Sequence, residues 1–296
     1  MNLKGSISQL NPLLKLLVLV VLFRVNMLLF QVLISGLLGE FSSWNTDDYR
    51  TVVVLSPIFN FIIPALLFYY LNFQKRGLGS LGFKGSHRMY WLTLIPAFVL
   101  IIQSLPIIHN ANEQLFDLLG LKDLVLNTSE SYNGAIDKII KGADATGMFL
   151  NIIGIALLTA IGEEIVFRGI LQKLICNFTK NLHFGILISA FIFSLVHWEF
   201  SGFLDRMFLG LIYGYIFVYS GSIFTVMILH FLNNAIGIIG MWYVSDVASK
   251  EEVAEISSQA DSNAKIIPIV SLLLLSGLMY YFKVNSKEDL STYLND

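Results

Sequence analysis

Glu163, Glu164 and Arg168 sit within a run, from about Met148 to Ile175, that is otherwise apolar enough to cross a bilayer. A charged side chain near the centre of a membrane helix costs roughly 2.5–3.5 kcal/mol on insertion scales. Packing never requires such a penalty, so these groups point to chemistry carried out inside the membrane. Glu164 and Arg168 are four apart, share one helical face and are expected to pair. Glu163, one position round the helix, has no partner at i+3 or i+4 and is the reactive candidate. Two more apolar runs supply matching groups. Phe193 and His197 are four apart, so the ring can wall a cavity beside an imidazole that acts as a base near neutral pH. His230 and Asn234 are also four apart and can point together into a bundle, while Asn233 falls on a different face.

Each of these residues has a plainer reading. An isolated histidine or asparagine in a membrane helix more often bonds a neighbouring helix, and Glu164 with Arg168 would serve equally as a structural pair. The combination favours a site: a carboxylate, two histidines and an amide on three apolar segments. A zinc centre is the competing chemistry, since one Glu and two His leave a fourth position for water. The H-E-x-x-H pattern is absent and an asparagine accompanies the second histidine, so no metal or cofactor is expected. His87, His109 and His183 fall in loops or at a membrane boundary. Arg24, Asn26 and Gln31 in the first span are read as structural, Arg24 snorkelling or pairing with a carboxylate elsewhere. Gly210, Tyr213 and Gly214 suggest close helix packing.

The elements that hold these residues must be membrane helices. The chain has 296 residues, 55% hydrophobic and 14% charged, with a mean hydropathy of +0.70, which excludes an ordinary soluble domain. A net charge of -2 without a basic cluster excludes nucleic acid as a partner. The single cysteine, Cys176, rules out an intrachain disulfide. Spanning windows occur at about 10–38, 51–73, 89–108, 148–172, 184–200, 204–221, 223–243 and 266–283. The expectation is an all-α polytopic membrane protein of about eight helices, one domain over 1–296, with the first span retained rather than cleaved. Two short interfacial helices are expected near 112–121 and 132–142. Lys75, Arg76, Lys84, Arg88, Lys173 and Lys180 mark the cytoplasmic side, and the acidic 244–265 loop the other, so both termini are expected in the cytoplasm. With these helix ends Glu163 and His230 lie nearer the cytoplasm than His197, so span five must start later or tilt.

At these residues the chain resembles the CAAX protease and bacteriocin-processing enzyme family of intramembrane glutamate proteases, also described as an abortive-infection family. E-E-x-x-x-R is Glu163, Glu164 and Arg168; F-x-x-x-H is Phe193 and His197; H-x-x-x-N is His230 and Asn234, in the family's order and with no position departing. The resemblance covers about 148–240 and agrees with the family's eight helices. It implies that Glu163 and His197 activate a water, that His230 and Asn234 stabilise an oxyanion, and that Glu164, Arg168 and Phe193 support them. Implied partners are a lipidated or hydrophobic peptide substrate and the bilayer. The implied roles are CaaX-type cleavage or bacteriocin and signal-peptide processing with self-immunity. The alternative is a non-proteolytic scaffold or immunity protein that binds a membrane sensor or receptor. A proton-coupled transporter is disfavoured, because no Gly- or Pro-broken helix pair marks a midplane site. Ile, Leu, Asn and Lys usage points to a bacterial plasma membrane.

Overall fold

A computed structural model describes residues 3–72, 77–247 and 266–286, and every regular element among them is helical. Lys75, Arg76, most of the acidic 244–265 loop and the last ten residues lie outside the described residues. The helices are α1 (Pro12–Leu38), α2 (Thr46–Asn72), α3 (Arg88–Leu118), α4 (Lys122–Ile140), α5 (Ala145–Thr179), α6 (Leu182–Leu195), α7 (Phe203–Ser220), α8 (Ile223–Trp242) and α9 (Ile266–Asn285).

Local chemistry sets the ends of these helices. Asn45 accepts hydrogen bonds from Asp47 N and Asp48 N, and Asp48 accepts one from Asn45 N. This capping box starts α2 several residues before its apolar window. Inside α2 a π-helical turn, Ile58–Ile62, follows directly on Pro57, which has no N–H to give the ladder. Asn181 caps α6 by accepting from Phe184 N.

Among the described residues six helices, α1, α2, α3, α5, α8 and α9, are long and apolar enough to cross a membrane. The all-helical membrane class is borne out, and the expected count of about eight is not confirmed. Each of the eight windows holds a helix, but α6 has only 14 residues, about 21 Å of helix against a hydrocarbon core of roughly 30 Å. Asp205 and Arg206 in its first turn lower the apolarity of the 18-residue α7. The two expected interfacial helices are also redrawn. The first is the continuation of α3, which runs unbroken through Pro96 and Pro106 to Leu118, and the second is the longer, amphipathic α4.

The core lies between α5, α7 and α8, where Ile165, Phe167, Ile170, Tyr213, Phe217, Ile223 and Leu229 are buried together. A second, smaller cluster joins Ile139 and Ile140 of α4 to Ala156 and Ile238, closing one end of the bundle. The outer faces are apolar: α1 exposes Leu17, Val21, Leu28 and Val32, and α9 exposes Val270, Leu273 and Leu274. That distribution suits a lipid solvent, which rewards apolar outer faces as readily as apolar interiors.

Helices α5 and α6 cross so closely that a Cβ at Gly185 would lie 2.3 Å from Cys176 Sγ and 2.9 Å from Cys176 N. Gly185→Ala is expected to destabilise the protein by about 1–3 kcal/mol. Gly277→Ala in α9, where nothing lies within 4 Å, is expected to be neutral or slightly stabilising. The midpoints of thermal unfolding in detergent check both.

Candidate active site

The centre of α5 is not a regular α-helix. Its α-helical turns Thr159–Glu164 lie between two π-helical turns, Ile152–Leu158 and Ile165–Leu171, an irregularity common at functional sites. Gly162 lets α2 approach just before the carboxylates, since a Cβ there would come 2.8 Å from Phe61 Cβ. The chain thus turns Glu163 and Glu164 inward, where both are buried.

The expected Glu164–Arg168 pair is present and deeper than helical spacing requires. Arg168 Nε is 3.1 Å from Glu164 Oε2, with side chains 1% and 0% exposed. Beyond this ion pair, the guanidinium donates a hydrogen bond to Gly210 O on α7 at 3.3 Å and lies 4.9 Å over Phe193 and 5.7 Å from the Tyr213 ring. The other carboxylate oxygen meets α8, with His230 Nδ1 2.8 Å from Glu164 Oε1. Glu164 therefore ties α5 to α8 directly and to α7 through Arg168. His230, this second partner, lies 66 residues away, and no local pattern reveals it.

Glu163 faces a cavity of about 320 Å³ instead. Its Oε1 is 3.8 Å from His197 Nε2 and its Oε2 is 3.7 Å from His230 Nε2, so one carboxylate lies between two imidazoles. Both distances exceed a direct hydrogen bond, and a small molecule at hydrogen-bonding distance from carboxylate and ring can sit beside them. His197 Nδ1 is 2.7 Å from Phe193 O. A carbonyl only accepts, so Nδ1 bears the proton and Nε2 of the neutral ring offers its lone pair to the cavity.

The end of α6 explains how His197 reaches Glu163. The helix stops at Leu195, His197 N bonds back to Ser194 O, and Trp198 adopts a left-handed φ of 53°. The last helical carbonyls lack intrahelical partners, and the His197 ring takes up that of Phe193. The anticipated span to residue 200 is thus corrected to 195. The helix starts at Leu182, not later than anticipated, and the turn after its end brings His197 Nε2 to 3.8 Å from Glu163 Oε1.

The loop 196–202 that carries His197 is pinned from several sides. Asn112 of α3 donates to Phe200 O and Ser201 O and accepts from Leu204 N. Glu199, 4% exposed, accepts from Ser201 N and Gly202 N at the start of α7 and pairs with Arg206 at 2.8 Å. Arg206 also donates to Glu199 O.

Phe193 occupies the middle of the site, with ring centroids 5.0 Å from His197, 5.0 Å from Phe167 and 5.9 Å from His230. Asn234 donates to Ile155 O at 3.3 Å and accepts from Asn233 Nδ2 at 3.4 Å. Asn233, expected on another face, lines the same cavity, as do Tyr132 of α4 and Arg206 of α7. Tyr213, read as packing alone, lines it too and donates to Leu229 O. The other histidines are engaged elsewhere: His87 caps α3, His109 lies 2.7 Å from Asp205 and His183 2.9 Å from Tyr215 Oη. His109 and His183 are helical rather than in loops.

Residues 145–236 match the model of the family described as type II CAAX prenyl endopeptidase, Rce1-like. All seven motif residues fall inside that stretch, the match bears out the resemblance, and it supports a peptidase within a multi-pass membrane protein. No curated protein and no solved structure matches the chain.

Removing one partner from a buried ion pair leaves an uncompensated charge. Arg168→Met is therefore expected to cost about 3–5 kcal/mol, and Glu164→Gln added to it to recover part of the loss. Thermal unfolding of the single and double variants in detergent measures both effects.

Proposed function

We propose that this relative of the type II CAAX prenyl endopeptidases is an intramembrane, metal-independent glutamate endopeptidase. The supporting observation is the Glu163 carboxylate held between His197 Nε2 and His230 Nε2, at 3.8 and 3.7 Å, on the wall of the cavity. Glu163, assisted by His197, takes a proton from water as the water oxygen attacks the scissile carbonyl carbon. General-base assistance of this kind is worth roughly 10²–10⁴ in rate.

The carbonyl oxygen becomes an oxyanion opposite His230 and Asn234. With both ring nitrogens of His230 protonated, Glu164 holds the Nδ1 proton and Nε2–H faces the cavity. Asn234 spends one amide N–H on Ile155 O and has a second to donate. Its Oδ1 accepts from Asn233, which sets the amide orientation. Collapse of the intermediate breaks the C–N bond, and the proton held by Glu163 passes to the leaving amine. Glu164, Arg168 and Phe193 are positioning residues in this scheme.

Ile136, Ile155, Leu209, Ile238 and Met241 give the cavity an apolar lining, which suits aliphatic side chains of a lipidated or hydrophobic substrate presented from the bilayer. CaaX-type sequences and peptide precursors such as those of bacteriocins fit that lining. The setting we propose is a bacterial plasma membrane. The basic Lys84, Arg88, Lys173 and Lys180 face the cytoplasm, and so do both termini.

The test is complementation of a deletion strain with wild type, Glu163→Ala and His197→Ala at matched membrane abundance, with released peptides compared by mass spectrometry. Joint loss of phenotype and of one peptide product is expected for both variants. Full rescue by both would mean that the protein acts as a scaffold or immunity factor by binding. Asn234→Ala is expected to lower the cleavage rate by about 10²–10³ without abolishing it. Cleavage by purified protein is expected to survive chelators; loss that zinc restores would overturn the metal-independent mechanism.

A further inference from the structure

A second polar site lies on the outside of the bundle, separate from the cavity. Arg24 is near the middle of the 27-residue α1, about 18–21 Å from either end, and is exposed. Its neighbours Val20, Val21, Val25, Met27 and Leu28 are exposed and apolar, so the guanidinium emerges from a face otherwise suited to lipid. Among the described residues it makes no hydrogen bond, ion pair or ring contact.

Two more polar groups share that position. Gln31, seven residues on and therefore on the same helical face, is also exposed and has no partner among the described residues. Asn60, in the π-helical turn of α2 against which Phe59 stacks on Phe30, has a buried Oδ1 without a hydrogen bond. Arg24, Met27, Leu28, Phe30, Gln31 and Asn60 line a depression of about 400 Å³. A guanidinium, a free amide and an orphaned carbonyl oxygen thus converge at mid-helix depth, where water does not satisfy them.

We propose that this depression docks a transmembrane helix of another protein that carries a carboxylate near its centre. The planar fork of Arg24 matches a carboxylate bidentately. Gln31 and the Asn60 side-chain N–H groups supply further donors to the same carboxylate. A second copy of this chain does not fit. Among the described residues, Glu163 and Glu164 are the carboxylates in the interior of a span, and both are buried in the catalytic wall. The others lie near helix ends or in loops, as Asp47, Glu113 and Asp205 do, or, like Glu130, on the amphipathic α4, which is not a span.

The experiment uses the full-length protein in phosphatidylcholine vesicles. The probe is a synthetic Leu/Ala transmembrane peptide with one central Glu, compared with peptides carrying Gln or Leu there, and association is read by fluorescence energy transfer. The Glu peptide is expected to bind at least tenfold more tightly than the Leu peptide. Arg24→Leu should abolish that difference, and Gln31→Leu and Asn60→Leu should each weaken it severalfold. The double variant Val20→Arg/Arg24→Leu, which moves the charge one turn away from Gln31 and Asn60, should bind like Arg24→Leu. Peptide hydrolysis at the Glu163 site should stay at the wild-type rate in Arg24→Leu, which shows that the variant is folded. Equal binding of the Glu and Leu peptides, undiminished binding by Arg24→Leu, or full binding by the relocated arginine would each overturn the proposal.

Discussion

An ionised group that water cannot reach must be met by another charge, and in this protein that requirement is concentrated on Glu164. Its two oxygens are engaged by Arg168 within the same helix and by His230 from α8. Arg168 in turn reaches the backbone of α7 at Gly210 and lies over the ring of Phe193 from α6. One buried carboxylate therefore connects the four helices that form the site. The core around it is tightly packed but has no preference for register of its own, because apolar contacts tolerate sliding and lipid competes for them. The ion pairs and directed hydrogen bonds select one arrangement.

The same constraint separates the roles of two adjacent glutamates. Neighbouring residues on a helix point about 100° apart. Glu164 turns into the packed centre and is fully paired, while Glu163 turns toward the cavity and stands 3.7–3.8 Å from two imidazole nitrogens. The histidines are oriented by their other nitrogens, His197 by the Phe193 carbonyl and His230 by Glu164. Each ring thus presents Nε2 to the carboxylate. The early end of α6 supplies the free carbonyl that aims His197, so a helix too short to span a bilayer by length becomes part of the site's design.

Much of this was legible in the residues. Charges within apolar runs have few explanations, so the E-E-x-x-x-R, F-x-x-x-H and H-x-x-x-N spacings located Glu163, Glu164, Arg168, Phe193, His197, His230 and Asn234, which the fold brings together. Helical periodicity also anticipated the Glu164–Arg168 pair. Less legible were contributions from residues with ordinary local patterns. Asn233, Tyr132 and Arg206 line the cavity, and Asn112 and Glu199 fix the loop beside it. Each does so through contacts across helices that periodicity within one helix does not report. One span end was drawn too far because the hydropathy window ran through the turn at His197 and Trp198, where apolar residues continue but the helix does not.

By itself the amino-acid sequence determined the helical class, the membrane setting and the charged and polar groups that gather at the candidate site, because the cost of transferring charges and peptide groups into lipid depends on composition and leaves helices as the solution. Tertiary structure alone decided that His230 bridges the two carboxylates, that Glu163 opens on a cavity, and that His197 is delivered from a broken helix end. It also decided that Arg24 looks outward rather than toward a carboxylate of its own chain. These outcomes depend on distances between helices, which depend on packing and close approaches such as those at Gly162 and Gly185, and no one-dimensional pattern encodes them.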